Sequence, residues 1–232
     1  MNFRNIPQEL ITLDQWVCWQ PKPDPKTGKT KKRPINPHDG TLAKTDTSAT
    51  WASYHDAVGY AATHGLAGIG FVFTNDDPFV GIDLDDCVDQ AGNIHPAAQR
   101  IIELCASYAE ISTSGTGVHI VGYGSIPKAY KPSQAQPWGG HIEIYSFGRY
   151  FVTTGNHVAT SPLTVNNMQV YLDMALAVST KPTPAKPAVS TPLVNVDSAG
   201  VNQSGSISAW DRAAIERTIK TAIEIVATAL PG

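Results

Sequence analysis

The run Phe79-Val80-Gly81-Ile82-Asp83-Leu84-Asp85-Asp86 constrains this chain more than any other stretch. An apolar approach followed by three carboxylates reads as a buried strand whose end meets solvent. Strand side chains alternate, so Asp83 and Asp85 share one face, Leu84 takes the other, and Asp86 is aimed away from the pair. Two carboxylates about 7 Å apart on one face repel each other unless a cation sits between them. A hard divalent ion with oxygen ligands is the natural solution. Acids at strand ends are also common surface features, so Asp-x-Asp alone does not decide.

Around this run the pattern predicts an α/β (α+β) chain. The expected order is strand, helix, hairpin, helix, hairpin, hairpin, helix. Trp16–Gln20 reads as a strand, with a second short strand around Lys32 to Asn36. A helix is expected over 49–64, capped by Ser48 or Asp46 and ending at Gly65. Strands at 67–74 and 79–86 flank Asn75-Asp76-Asp77-Pro78, which predicts a hairpin with Asp76 and Asp77 exposed in its turn. Pro96 opens a helix to about Ser107, with Ile101, Ile102, Leu104 and Cys105 facing inward. Strands at 108–112, 118–122, 141–145 and 149–155 follow, then a helix over 166–178. The expected domains are 1–179 as a catalytic unit, 180–208 as a Pro-, Ser- and Thr-containing flexible linker, and 209–232 as an amphipathic helix, possible as the start of a helical domain.

Net charge is -3, so no global basic field advertises a nucleic-acid partner. A local one exists: Lys22 to Arg33 holds six of the seventeen basic residues. Lys29, Lys31, Lys32 and Arg33 there are candidate contacts to a nucleic-acid backbone, although a solvated hairpin tip has the same composition. The three cysteines, Cys18, Cys87 and Cys105, show no metal-ligand spacing and fit a reduced, cytoplasmic protein. No apolar run approaches a membrane span, so no membrane partner is expected.

Two further clusters fall at strand ends. Ser114-Gly115-Thr116-Gly117-Val118-His119 is either a tight turn or a backbone N–H cradle for phosphate oxygens. In His141-Ile142-Glu143-Ile144-Tyr145, Ile142 and Ile144 share one face and Glu143 the other. A carboxylate on a half-buried strand needs a partner, and a metal shared with Asp83 and Asp85 would supply it. Combined, the clusters form a kit for two-metal nucleotidyl transfer, with ions about 4 Å apart serving the attacking 3′-hydroxyl and the leaving pyrophosphate. Triphosphate charge would fall on Arg149, His119 and the loop N–H groups.

Gly-Ile-Asp-Leu-Asp-Asp-Cys, Ser-Gly-Thr-Gly-Val-His, His-Ile-Glu-Ile-Tyr with Gly-Arg-Tyr-Phe, the early Trp-x-x-Trp and the Lys-Thr-Gly-Lys-x-Lys-Lys-Arg-Pro-Ile-Asn-Pro stretch occur in this order over about residues 10–160. They resemble the phage and plasmid branch of the archaeo-eukaryotic primase superfamily, the bifunctional DNA primase/polymerases. The resemblance implies a mixed-sheet catalytic core with an RRM-like sheet. It implies catalytic, metal-binding acids at Asp83, Asp85 and Glu143, with Mg²⁺ or Mn²⁺ as cofactor. It also implies a nucleotide-contacting histidine at His119 and a triphosphate contact at Arg149. The implied partners are a single-stranded DNA template, nucleoside triphosphates and a replicative helicase, in a bacterial or phage-infected cell. The wider superfamily has Ser two residues before the histidine. Here that position is Gly117, which leaves the roles of Ser114 and Thr116 open.

Two other functions compete. A non-catalytic nucleic-acid-binding replication module would use the basic segment and the aromatics but leave Asp83, Asp85 and Glu143 unexplained. A metal-dependent nicking initiator would need Tyr145 or Tyr150 as nucleophile, but it lacks the second histidine of a His-hydrophobic-His pair.

Overall fold

The computed structural model describes residues 3–26, 28, 30–127 and 136–179. The segments expected as linker (180–208) and terminal helix (209–232) lie outside the described residues, as does Lys29. Met1–Leu176 forms one compact unit.

Four α-helices occur among the described residues: α1 Gln8–Ile11, α2 Tyr54–Thr63, α3 Pro96–Cys105 and α4 Gln169–Ser179. Eight strands fall into two four-stranded sheets. The first holds β1 Trp16–Pro23, β2 Thr30–Ile35, β3 Gly68–Phe73 and β8 Arg149–Thr153, in the order β2-β1-β3-β8. The second holds β4 Phe79–Leu84, β5 Tyr108–Ile111, β6 Val118–Tyr123 and β7 Ile142–Tyr145, in the order β5-β6-β4-β7. The α+β class therefore holds. Every strand pair within the sheets is antiparallel, so neither sheet mixes parallel and antiparallel strands as the resemblance implied. In the second sheet the first strand lies centrally, with the third and fourth strands on either side and α3 linking the first to the second, as an RRM-like sheet requires.

β4 is buried on both faces. Val80, Ile82 and Leu84 face α3 and α4, packing with Ala98, Ile102, Met168 and Leu172. The opposite face of the same sheet meets the first sheet through an aromatic layer. Phe71 is 1% exposed and has Trp16, Phe73 and Phe79 rings edge-on at 5.4, 5.5 and 5.6 Å. Phe73 meets Phe151 at 5.0 Å. Offset and edge-on pairs of this kind add to the burial of large apolar area.

The hairpins expected from the strands at 67–74 and 79–86 and from those at 141–145 and 149–155 do not form. β3 and β4 do not pair, because they belong to different sheets, and the same is true of β7 and β8. The 74–78 turn shows the reason. The Asp77 carboxylate accepts from the Thr74 N–H and hydroxyl, both at 2.9 Å, from Phe79 N–H at 2.9 Å and from Gln15 Nε2 at 2.8 Å. Asp77 is thus a half-buried clasp and not an exposed turn residue, whereas Asp76 is exposed. It turns the chain out of one sheet and into the other. The β5–β6 hairpin does form.

The helix expected at 49–64 starts later. Residues Ser48–Thr50 make a single 3-10 turn, and Ala52 exchanges backbone hydrogen bonds with Trp16 at 3.1 and 2.9 Å. That bridge keeps 51–53 extended, so Ser53 becomes the cap, its Oγ accepting from Asp56 N–H at 3.2 Å. On α3, Ile102 and Cys105 are buried as expected, but Leu104 is 40% exposed because it falls off the inward stripe.

Replacing Phe71 by Ala would leave a void at the junction of three rings. We expect a loss of about 3–5 kcal/mol of stability, read as a lower urea midpoint with little change in slope.

Candidate active site

The register of β4 sets the site. Asp83 lies directly opposite His119 on β6 and directly opposite Glu143 on β7. His119 in turn lies opposite Glu110 on β5. One row therefore crosses the sheet: Glu110, His119, Asp83, Glu143. All four alternate with residues packed against α3 and α4, so the row faces the first sheet.

Within the row, His119 is 3% exposed. Its Nε2 lies 3.8 Å from Asp83 Oδ1, and its ring stacks on Phe151 at 4.8 Å. Glu143 accepts a short hydrogen bond from the Tyr145 hydroxyl. The Arg149 guanidinium lies over the Tyr145 ring, 5.0 Å from its centre. Asp83, His119, Glu143, Tyr145, Arg149 and Lys32 line an open cleft of about 220 Å³, with Tyr150, Phe151 and Val152 completing it. A larger hollow of about 640 Å³ lies elsewhere, lined by Asp14, Asp46, Asp76 and aromatics. Those acids suit no phosphate, so the smaller cleft is the better candidate.

Asp85 lies one residue beyond β4, in a turn. The ladder still reaches it: its N–H donates to the His141 carbonyl at 2.9 Å, and its carbonyl accepts from Trp138 Nε1 at 2.8 Å. Two glycines let the neighbouring chain close in. A Cβ on Gly140 would run into the Asp85 carbonyl oxygen, and one on Gly117 would stand 2.8 Å from the Leu84 carbonyl oxygen. Partial dehydration raises the Asp85 carboxyl above its ordinary value, although the residue is exposed overall. The Asp83, Asp86 and Glu143 carboxylates raise it further, and His119 opposes them in part. Asp86 is therefore not simply aimed away. It sits in the turn at φ 55°, takes the Thr116 hydroxyl at 3.3 Å and contributes to the field at Asp85.

The Ser114–Gly117 loop abuts this turn. Gly115 N–H donates to the Ser112 carbonyl at 3.0 Å and Thr116 N–H to Ser114 Oγ at 3.3 Å. Both N–H groups close the turn, so a phosphate would have to displace those bonds to use them. Of the basic segment, Lys32 reaches the cleft rim, Arg33 is half-buried, and Lys31 is exposed and pairs with Asp24 at 2.8 Å.

Asp83, Asp85 and Glu143 offer oxygen donors to a hard cation, and their mutual repulsion is the feature that a cation would relieve. Among the described residues no three His, Cys, Asp or Glu side chains stand gathered as a ligand set. The fit is one of donor chemistry and shared field.

Over 147 residues the chain is 35% identical to a DNA primase-polymerase of Nitratiruptor phage NrS-1. The chain is a relative of a phage primase-polymerase. The matched stretch is 63% of this chain and 20% of that protein, so the chain spans about a fifth of its relative's length. No family model matches the chain. No helix among the described residues is long and apolar enough to cross a membrane.

Sequence reasoning missed Glu110. It is 2% exposed and lies in Tyr108-Ala109-Glu110-Ile111, an acid in an apolar strand. The logic that singled out Glu143 applies equally to it.

Because the Asp85 carboxyl is raised in the folded chain, its contribution to stability is present below the unfolded value of about 3.9 and lost as pH rises through the folded value. Asp85→Asn removes the charge. The variant should melt higher than the parent at pH 7, with the difference vanishing below about pH 4. Melting curves across pH without added metal measure this.

Proposed function

We propose that this chain is the catalytic part of a DNA primase-polymerase, joining nucleotides from nucleoside triphosphates on a single-stranded DNA template. The observation that carries the reading is the row across β6, β4 and β7, which presents His119, Asp83 and Glu143 to one cleft. The phage relative supports the same class.

In this reading Asp83, Asp85 and Glu143 hold Mg²⁺ or Mn²⁺. When bound, such ions lower the barrier to attack by the 3′-hydroxyl and spread the charge of the leaving pyrophosphate. The chain's own groups do the rest. Tyr145 steadies the Glu143 carboxylate through its hydroxyl. Arg149 and His119 take triphosphate oxygens, the guanidinium through paired N–H donors. Lys32, at the cleft rim, meets further phosphate charge, and Lys31 and Arg33 extend that contact along the template backbone. The 3′-hydroxyl loses its proton to solvent as its oxygen bonds to the α-phosphorus and the bond to the leaving pyrophosphate breaks.

Two features weigh against a nicking initiator. The Tyr150 hydroxyl donates to the Lys32 carbonyl at 2.6 Å, and burial raises its pKa, which makes it a poor nucleophile. Tyr145 is 4% exposed and engaged with Glu143. A purely binding module leaves the repulsion among Asp83, Asp85 and Glu143 without purpose.

The direct test incubates the chain with single-stranded template, labelled nucleotides and Mg²⁺ or Mn²⁺, with and without a primer. Extended or new products are expected, and Asp83→Ala or Glu143→Gln should lower incorporation by at least about 10³-fold with the fold retained, since each removes a ligand oxygen. Full activity in a well-folded Asp83→Ala protein would sink the proposal, as would template binding without any incorporation by the parent.

A further inference from the structure

Glu110 is unusually well held for a residue outside the cleft. Its carboxylate accepts from Thr154 N–H at 3.0 and 3.1 Å, from Gly155 N–H at 2.9 Å and from the Tyr108 hydroxyl at 2.8 Å. Burial, reinforced by the nearby carboxylate, pushes the Tyr108 hydroxyl above its ordinary pKa, so it remains a donor. These partners come from β5 and from the turn after β8, so both sheets fix the carboxylate in place. Backbone donors do not rotate away, which makes the anchor stiff.

Its neighbour across the ladder is His119. The His119 Nδ1 atom is buried and makes no hydrogen bond, and the acceptor in front of it is Glu110 Oε1 at 3.5 Å. A buried ring nitrogen left unpaired costs free energy, and Glu110 Oε1 is the carboxylate oxygen within reach of Nδ1, so a small closing of this 3.5 Å gap with the proton on Nδ1 is the arrangement the surroundings favour. Phe151 stacks on one side of the ring and limits its tilt. Nε2 is then the nitrogen left at the cleft, beside Asp83.

We propose that Glu110 is a positioning residue: its carboxylate faces the Nδ1–H of His119 and fixes the ring so that Nε2 faces the triphosphate of the incoming nucleotide, to which it donates when both ring nitrogens carry protons. The triphosphate part rests on the function proposed above; the Glu110–His119 part does not. Behind metal-bound imidazoles such carboxylates fix the ring pose and their loss typically costs about 10–100-fold in affinity or activity; the same orienting contact applies to an imidazole that meets phosphate.

The test uses the full chain and the isosteric variant Glu110→Gln, which keeps the size of the side chain and an acceptor for Thr154 and Gly155. Side-chain ¹⁵N spectra, with His119 identified by the His119→Gln spectrum, should show a proton on Nδ1 in the parent. In Glu110→Gln the His119 nitrogen shifts should change most, while those of the five histidines other than His119 and His157, which bridges to Glu110 and stacks on Tyr108, stay in place. For dATP with Mg²⁺, the variant's KM and dissociation constant should rise about tenfold, with kcat reduced less. A purely structural Glu110 would lower the melting temperature without this split or the selective shift. A parent His119 protonated on Nε2 alone, or a folded Glu110→Gln protein with unchanged His119 shifts and unchanged dATP affinity, overturns the inference. If the parent incorporates no nucleotide, the function proposal fails, while the spectra and dATP affinity still decide the role of Glu110.

Discussion

The pairing of β4 on both of its edges is the constraint on which the site depends. Asp83 faces His119 on one side and Glu143 on the other because three strands share one antiparallel register. A slip of one residue would send Asp83 into the Val80–Ile82–Leu84 face, against Ile102 and Leu172. It would also push Leu84 or Ile82 toward the polar row. Burial on both faces therefore locks the register, and the register places the polar groups. The apolar core and the acid site are set by the same alternation.

A row of polar residues in an otherwise aromatic layer must find partners in place. Glu110 takes backbone N–H groups and a tyrosine hydroxyl, and Glu143 takes the hydroxyl of Tyr145. Asp83 and Asp85 lie toward the open end, where Asp85 carries the unrelieved part of the repulsion. Glu110 is thus a carboxylate met by four donor contacts, whereas Asp85, beyond the end of β4, stands in the field of Asp83, Asp86 and Glu143. Lys32 and Arg149 bring positive charge to the rim of the same cleft, although the chain as a whole is weakly acidic.

Much of this was legible in the chain. The acid-ended strand, the carboxylate on 142–145 and the histidine after the small-residue loop were each visible as local patterns, and the structure brings Asp83, His119 and Glu143 together. The hairpins were not legible. A turn such as Asn75-Asp76-Asp77-Pro78 looks the same whether its flanking strands pair or part, and only the clasp from Gln15 to Asp77, 62 positions apart, shows that they part. The start of α2 was missed for a similar reason, since Ala52 is recruited by Trp16 from a distant strand. Glu110 could have been noticed from its apolar setting, but its partners Thr154 and Gly155 lie 44 and 45 positions away.

By itself the sequence determined which residues alternate, which face of each strand is apolar, and therefore which polar side chains have to share a side. Those are properties of a two-residue period and of side-chain chemistry. Only the tertiary structure decided which strands are neighbours, that consecutive strands 3 and 4 part into separate sheets, and that Glu110 stands behind His119. Strand pairing is settled by the burial of whole apolar faces and by hydrogen bonds between remote segments, and no local pattern encodes a partner far away in the chain.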